Sequence, residues 1–305
     1  MTSSLAHYLQ YAALRGAVAP LGLLGWRRAS DLGAAIGRQG YRPLGIRRGV
    51  VERQIRAAFP EHDEAWVVKT ARGAYESLGR TTMETAVLPT LPPGAVLDLF
   101  SGTRGWDAVQ SAREGGKGLI IVAGHIGNWE LGGAFVAASG VPLDAVVRRM
   151  SNPLFDRYLN STRAQIGMRV VPDADAVRHT PRALRENRAV VFVSDQGVLG
   201  LASTFVPFFG RPAKTPRGPA VFALRLDVPM VFASAIRQPD GSFHMLFEPI
   251  PAQRTGDREA DVNAIVASYT QALERHVRET PDQYFWHHRR WRRQPPETPP
   301  ELREP

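Results

Sequence analysis

The segment from Gly118 to Ala123 constrains the fold of this chain most strongly, because none of its residues carries a polar side chain. A short apolar run without alternation is typical of a β-strand that is buried on both faces. Strands of this kind occur mainly in parallel sheets that helices cover on both sides. The segment therefore predicts an α/β domain built around a central sheet.

Similar apolar runs alternate with helical segments as far as residue 279. Additional strands are predicted at residues 145–147, 168–171, 189–194, 228–235 and 243–247. Helices are predicted at residues 128–138, 153–166, 175–186 and 259–279. This alternation predicts a mostly parallel central sheet flanked by helices, in which the last two strands are close enough in sequence to pair in antiparallel orientation.

Residues 1–95 have a helical pattern instead, and we divide the chain there. Apolar positions recur at spacings of three and four in residues 49–60 and 64–90. Residues 96–293 then form the α/β domain. Residues 294–305 are rich in Pro and Glu and are predicted to be disordered.

The first 26 residues are largely apolar, but Arg15 and Pro20 interrupt them. Their uninterrupted apolar stretches are shorter than the roughly 20 residues that a membrane-spanning helix requires. Two interpretations remain open. The segment either lies in the membrane interface, with Trp26, Arg27 and Arg28 at the level of the headgroups, or forms an ordinary amphipathic core helix.

The composition restricts both the chemistry and the partners. The sequence contains no cysteine, which excludes disulfides, thiolate metal sites and a cysteine nucleophile. The formal net charge of +9 attracts anionic partners such as lipid headgroups, phosphorylated substrates, acidic proteins or nucleic acid. Part of this charge lies in a basic cluster at residues 287–293, which suits either a headgroup or carrier-protein contact or a solvated helix end. We predict no metal and no cofactor, because ligand-spaced histidines and glycine-rich nucleotide loops are missing from the sequence.

The segment Gly124–Glu130 (Gly-His-Ile-Gly-Asn-Trp-Glu) lies where the first buried strand meets a helix. In open α/β sheets, ligands bind at the carboxyl ends of the strands. On a regular helix His125 and Glu130 would differ by about 140° and could not pair. If His125 lies in the loop and Glu130 on the first helical turn, the carboxylate can fold back onto the imidazole and orient it as a general base. The alternative is a structural histidine that is hydrogen-bonded within a loop.

This segment resembles the histidine–four residues–acid motif of lipid acyltransferases. Its surroundings are similar to the late acyltransferases of lipid A biosynthesis, the lauroyl and myristoyl transferases of the lysophospholipid acyltransferase superfamily. Further segments resemble that family in the same order along the chain: Ala58–Glu61, Val147–Arg148 with Asn152–Leu154 and Arg163, Ser194–Gly197 with Phe205–Gly210, and Pro281–Trp291. The resemblance covers residues from about 50 to 292.

The resemblance implies a glycerol-phosphate-acyltransferase-like fold in which residues 96–293 form the acyltransferase domain. It also implies that His125 is the general base, with Glu130 as its partner. The hydroxyl of the acceptor then attacks an acyl thioester directly. Arg163 matches the arginine that stabilises the negative charge on the carbonyl oxygen.

The same resemblance implies the substrate contacts and the partners. Asn128, Arg148 and Asp195 are expected to bind or position substrate, although Arg148 could instead be solvated at a strand end. The acyl donor is expected to be acyl carrier protein, and the acceptor a hydroxyl of a lipid A precursor. The enzyme is expected at an anionic membrane surface, on the cytoplasmic face of the cell inner membrane, either peripheral or weakly anchored by its N-terminus. No nucleic-acid partner is expected.

Three other interpretations remain open on the sequence. The acceptor could be another glycolipid, such as a phosphatidylinositol mannoside, because related enzymes share these motifs. A non-catalytic basic protein that binds membrane or nucleic acid would explain the charge. A hydrolase that uses His125 to activate water would explain the motif.

Overall fold

The predicted strand at Gly118–Ala123 lies in the middle of a seven-stranded sheet. The computed structural model describes residues 2–92, 94–197 and 200–305, so Met1 and Pro93 of the predicted N-terminal region lie outside the described residues. The strands are β1 (Phe100–Arg104), β2 (Leu119–Gly127), β3 (Leu143–Val147), β4 (Met168–Pro172), β5 (Ala189–Val193), β6 (Ser203–Phe208), β7 (Arg211–Pro216), β8 (Met230–Arg237) and β9 (Phe243–Pro249).

The helices surround this sheet. They are α1 (Thr2–Val18), α2 (Gly25–Tyr41), α3 (Arg48–Ala58), α4 (Glu64–Val87), α5 (Ala95–Asp98), α6 (Trp106–Glu114), α7 (Trp129–Ala138), α8 (Pro153–Gln165), α9 (Ala176–Arg185), α10 (Gly218–Leu226) and α11 (Arg258–Glu279). Short 3₁₀ helices lie at Ala19–Leu23, Leu88–Thr90, Asp173–Asp175, Pro281–Gln283 and Pro300–Leu302.

The strand order β1-β9-β8-β2-β5-β3-β4 confirms the predicted α/β class. The five strands in the order β8-β2-β5-β3-β4 run parallel to one another. The predicted antiparallel pair is also confirmed, because β8 and β9 pair in that orientation and the connection between them is too short for a parallel crossover. The carboxyl ends of β2, β5 and β3 therefore meet at one edge of the sheet.

β1 and the hairpin formed by β6 and β7 were not predicted from the sequence. β1 has the sequence Phe-Ser-Gly-Thr-Arg, which contains no apolar run. β6 and β7 contain prolines, which rarely occur in strands away from a sheet edge. Their pairing as an isolated two-stranded sheet explains how the prolines are tolerated.

Apart from a small cluster around Ala29 and Val87, the buried residues of the helical region before residue 95 share a core with the sheet. Residues of α3 and α4 such as Ile55 and Val67 belong to the same buried cluster as Val122 and Phe232 of the sheet. The opposite face of the sheet packs against α6 and α7 in a second cluster. The helices of the predicted N-terminal region are therefore part of the scaffold that holds the sheet.

The first helix has an exposed apolar face. Leu5, Tyr8 and Leu9 are 63%, 61% and 59% exposed, which favours the interface interpretation over the amphipathic core helix. The helix is held on α8, because the side chain of Asn152 donates hydrogen bonds to His7 O and Gln10 Oε1. Within the part of the chain that the structure describes, no helix is long and apolar enough to cross a membrane.

The chain after residue 293 was predicted to be disordered, whereas the structure places it against the body of the protein. Arg211 donates to the carbonyl oxygen of Arg303 at 2.8 Å, and Gln294 donates to that of Leu302 at 2.7 Å. Thr298 is buried. These contacts use backbone carbonyls, so the composition of the tail did not indicate them.

The basic cluster at residues 287–293 is not a uniform exposed patch. Arg290 is 3% exposed and donates to Lys214 O and Thr215 Oγ1 at 2.7 and 2.6 Å. Trp291 is fully buried. Arg289 is exposed but is paired with Glu304. The cluster is therefore largely a packing element, whereas the sequence suggested a headgroup or carrier-protein contact or a solvated helix end.

Replacing Arg290 with Ala should lower the free energy of unfolding by about 2–4 kcal/mol, because the change removes a buried guanidinium and leaves its acceptors without a donor. Replacing the exposed Arg292 with Ala should change it by less than about 0.5 kcal/mol. Chemical denaturation of both variants measures this difference. Equal stability of the two variants would show that Arg290 is a surface residue in solution.

Candidate active site

His125 lies at the irregular end of β2, where the register between β2 and β8 shifts between Ala123 and Gly127. Gly127 has a φ of +59°, and a Cβ at that position would come within 2.0 Å of Ala235 O. A residue with a side chain would therefore disrupt the turn that leads into α7. The turn leaves the His125 side chain 22% exposed at the carboxyl edge of the sheet.

The imidazole of His125 is hydrogen-bonded to Asp195 and not to Glu130. Its Nδ1 lies 2.6 Å from Asp195 Oδ1, and the backbone N–H of His125 donates to Asp195 Oδ2 at 3.0 Å. Asp195 follows β5, which pairs with β2 in parallel. Because the two strands end side by side, residues far apart in sequence meet here. The predicted contact between Glu130 and the imidazole is wrong for this reason.

The pair stabilises its charged form. Burial disfavours the imidazolium, but the charge and hydrogen bond of Asp195, with a smaller contribution from Glu130, raise the pKa of His125. Burial likewise opposes ionisation of Asp195, yet its contacts with His125 lower the pKa of the carboxyl to about 2. With Nδ1–H donated to an ionised carboxylate, Nε2 is the ring nitrogen that can accept a proton.

Glu130 instead forms an ion pair with Arg163. Arg163 Nε and Nη2 donate to the two carboxylate oxygens at 3.0 and 2.5 Å, a bidentate arrangement. Glu130 lies in the first turn of α7, and Arg163 lies in the last turn of α8. The Nη1 of Arg163 makes a longer contact of 3.3 Å with Asn160. The pair therefore joins two helices beside His125.

Three further side chains surround the imidazole. The rings of Trp129 and Phe285 lie 4.9 and 5.9 Å from it, measured between centroids. The amide nitrogen of Gln196 is 3.5 Å from His125 Nε2. Phe285 belongs to the C-terminal segment, and its backbone N–H donates to His125 O at 2.9 Å. The conformation around His125 therefore depends on the C-terminus of the chain.

Asn128, predicted to bind substrate, is fully buried. Its side-chain oxygen accepts from Leu131 N at 2.9 Å and caps α7, and its amide donates to Glu84 at 2.8 Å. Glu84 also accepts from Arg237 at 2.6 Å. Both polar atoms of Asn128 are engaged inside the protein, so its geometry favours positioning the helix over contacting substrate.

Glu84 and Arg237 were not predicted from the sequence as part of the site. The position of Glu84 could have indicated it, because Glu84 lies on the buried face of α4 with Thr81 and Val87. A carboxylate among buried positions requires a partner. The sequence could indicate that a partner exists, but not that it is Arg237 on β8.

The remaining predicted residue, Arg148, lies directly after β3 and is exposed, as is Arg149. Neither arginine is a hydrogen-bond partner of the His125 imidazole, whose partners are Asp195 and Gln196. Within residues 2–92, 94–197 and 200–305, no group of three or more acidic or histidine side chains is arranged to hold a metal ion.

A cavity of about 650 Å³, counted to its open mouth, lies between α7 and the sheet. Glu130 and Arg163 lie in its lining, and most of the other lining residues are apolar. An apolar lining with a few polar groups at one end is typical of small-molecule sites. The arrangement combines a proton acceptor with an apolar cavity that begins beside it.

The sequence profile of the family described as "Bacterial lipid A biosynthesis acyltransferase" matches residues 2–293. The chain belongs to this family. As a member of it, the protein is an acyltransferase.

This acyltransferase is similar to two curated proteins of Escherichia coli (strain K12). It is 27% identical to the lipid A biosynthesis palmitoleoyltransferase over 270 residues, and this alignment covers 87% of this chain and 85% of that protein. It is 26% identical over 269 residues to the lipid A biosynthesis lauroyltransferase, covering 88% and 86%. The phosphatidylinositol mannoside acyltransferase of Mycobacterium tuberculosis (strain ATCC 25618 / H37Rv) is 29% identical, but over 157 residues that cover 49% of this chain and 48% of that protein.

Replacing Asp195 with Asn should lower the pKa of His125, because burial then acts on the imidazolium without the opposing carboxylate. Replacing Glu130 with Gln should lower it less, since Asp195 contributes more than Glu130. Titration of the imidazole C–H resonances by NMR measures both shifts. A pKa that stays unchanged or rises in the Asp195 variant would contradict the observed pairing.

Proposed function

We propose that this acyltransferase transfers a fatty acyl group from acyl carrier protein to a hydroxyl of a lipid A precursor, with His125 as the general base. The observation that carries this proposal is the contact between His125 and Asp195, which makes Nε2 the proton-accepting nitrogen of the ring. The ring lies beside Trp129, which lines an apolar cavity. A histidine that a buried carboxylate orients in this way is suited to take a proton from a hydroxyl.

The reaction then needs no covalent enzyme intermediate. His125 Nε2 accepts the proton of the acceptor hydroxyl while the oxygen of that hydroxyl attacks the thioester carbonyl carbon. The tetrahedral intermediate collapses with loss of the thiolate, which takes the proton from the imidazolium. Asp195 holds the ring and stabilises its positive charge during these steps.

In this proposal Arg163 stabilises the negative charge on the carbonyl oxygen. Its guanidinium is fixed by Glu130 through Nε and Nη2, and Nη1 makes one long contact, which leaves N–H groups for a second acceptor. Glu130 thus acts on the reaction by positioning Arg163. The family resemblance in the sequence had instead implied that Glu130 is the partner of His125. A fixed donor needs little reorganisation when charge develops.

The acceptor is proposed from the extent of the similarities. The two Escherichia coli relatives align over 85–86% of their own length, whereas the Mycobacterium tuberculosis phosphatidylinositol mannoside acyltransferase aligns over 48% of its own. The family profile also matches residues 2–293, and this extent favours a lipid A precursor. Mass spectrometry of lipid A from cells with and without the protein tests this choice directly.

For the membrane, we propose peripheral attachment to the cytoplasmic face of the inner membrane through α1 and the start of α2. Leu5, Tyr8 and Leu9 of α1 are exposed, and Leu23 between the two helices is 90% exposed. Arg27 and Arg28 follow on the exposed surface of α2. Apolar side chains next to arginines suit an interface with anionic headgroups.

Replacing His125 with Ala should lower the rate of acyl transfer by about a hundredfold to ten-thousandfold, the range that a general base contributes. The rate is measured with acyl carrier protein as donor and a purified lipid A precursor as acceptor. The variant's unfolding midpoint serves as control for folding.

Full activity of the folded variant would exclude His125 as the base.

The hydrolase alternative is tested with the unmodified enzyme, for which it predicts a different result from acyl transfer. Free fatty acid would then form at the same rate with and without the lipid acceptor.

Replacing Arg148 and Arg149 with Ala should reduce kcat/KM for the carrier-bound donor more than for the same acyl chain on coenzyme A. Both arginines are exposed next to Val147, which lines the cavity, so they can attract an acidic carrier to its mouth. The difference should shrink as salt rises, because exposed charges are screened.

Arg185 provides the matched control, since it is exposed at the end of α9, where the chain returns to the start of β5. Its replacement with Ala should leave the preference for the carrier unchanged. Equal use of both donors at every salt concentration would contradict docking through this surface.

A further inference from the structure

The cavity beside the active site exists because small residues face each other across it. Gly132 and Gly133 lie on the side of α7 that covers the sheet. The opposing strand positions include Ala123, Ala145 and Ala233. Larger side chains at these positions would fill the space between helix and sheet, as they do elsewhere in the core.

The cavity has a polar mouth and an apolar end. Glu130 lies at the mouth in the first turn of α7, and Val136 lies six residues later, just under two helical turns further along. Leu143 and Met168 are the first residues of β3 and β4, so they line the end that is farthest from the carboxyl edge of the sheet. An extended apolar group that starts at His125 would therefore lie along α7.

Met168 closes this far end against the helix. It is 4% exposed. A Cβ built on Gly133 would lie 2.7 Å from Met168 Sδ and 3.2 Å from Met168 Cε, and its next neighbour would be Leu143 Cδ2 at 3.9 Å. The thioether thus contacts the backbone of α7 at a position where only glycine leaves room for it. Methionine is unbranched and flexible, so small changes here alter the depth of the cavity.

We propose that the acyl chain of the donor occupies this cavity and that Met168, packed on Gly133, sets the length of chain that the enzyme prefers. This inference rests on the proposed acyl transfer. The occupant follows from the position of the cavity beside His125, whose neighbours Gly124 and Trp129 line it. It follows also from the apolar lining and from the membership in an acyltransferase family. The contact between Met168 and Gly133 forms the closed end of the cavity, which we call its floor.

Two substitutions should move the floor in opposite directions. Met168→Ala removes the side chain beyond Cβ and deepens the cavity, so the preferred chain becomes longer. Gly133→Ala pushes the thioether into the cavity, so the preferred chain becomes shorter. Ala is also the better helix former, which supports folding of this second variant.

The test measures kcat/KM with acyl carrier protein loaded with saturated chains that differ by two methylenes. Each methylene that gains or loses burial should change kcat/KM about fourfold, the equivalent of about 0.8 kcal/mol. The longest chain accepted by the Met168→Ala variant should therefore gain at least about tenfold relative to the chain that the unmodified enzyme prefers.

Met230→Ala is the matched control. Met230 is 3% exposed, like Met168, but it belongs to the cluster on the opposite face of the sheet with Phe232 and Val266. Its replacement should lower stability by a similar amount and leave the order of preferred chain lengths unchanged.

Binding of free saturated fatty acids of the same lengths, measured by the shift in unfolding temperature, tests this inference separately from the proposed function. If transfer to a lipid A precursor fails but the two variants shift the length preference in binding as described, the inference stands and the proposed function falls. If all chain lengths change by the same factor in both variants, in transfer and in binding, Met168 does not set the length.

Discussion

The parallel pairing of β2 with β5 is the constraint on which the site depends. It places Ser194 N 2.9 Å from Ala123 O, so that Asp195 follows at the edge of the sheet where His125 lies in the irregular end of β2. Asp195 then uses one oxygen for the imidazole of His125 and the other for the backbone N–H of the same residue. A buried carboxylate is costly unless its oxygens are hydrogen-bonded, and here the catalytic candidate itself supplies those bonds. The ring and its backbone are consequently fixed by one side chain.

A second buried carboxylate ties the helical region to this edge. Glu84 of α4 accepts from Asn128, which caps α7, and from Arg237 at the end of β8. Thr81 of the same helix donates to Gly127 O at 3.1 Å. Breaking a buried ion pair by removing one partner typically costs about 3–5 kcal/mol, so α4 cannot leave the sheet without a large loss. This explains why the N-terminal helices share the core of the sheet domain.

The positive charge of the protein has two different uses. Arg163, Arg237 and Arg290 lie inside the structure and compensate buried acceptors. Arginine suits this use because its planar guanidinium can satisfy several acceptors at once. Arg148, Arg149 and Arg292 remain on the surface and are available to attract anionic partners. Because Arg163 and Arg237 are paired with carboxylates, their two ion pairs add nothing to the net charge of +9, which resides on other residues.

The sequence alone determined the class of fold and the region of the site. Unbroken apolar runs such as Gly118–Ala123 indicate strands with two buried faces, and their alternation with helices restricts the connections to a few parallel arrangements. The motif from Gly124 to Glu130, with the ordered segments that resemble the acyltransferase family, also placed His125, Arg163 and Asp195 among the candidates. These features are local, or are ordered along the chain, and can be found without coordinates.

Only the tertiary structure decided which of these side chains meet. Asp195 is 70 positions from His125 and Arg163 is 33 positions from Glu130, so neither pairing is visible as a spacing. The near spacing of His125 and Glu130 indicated the wrong partner, because α7 carries Glu130 towards α8. The same reasoning applies to Arg290, whose burial depends on β7, and to Met168, whose contact with Gly133 depends on the order of the strands. Strand order and helix direction arise from packing over the whole sheet, which no short segment of the sequence contains.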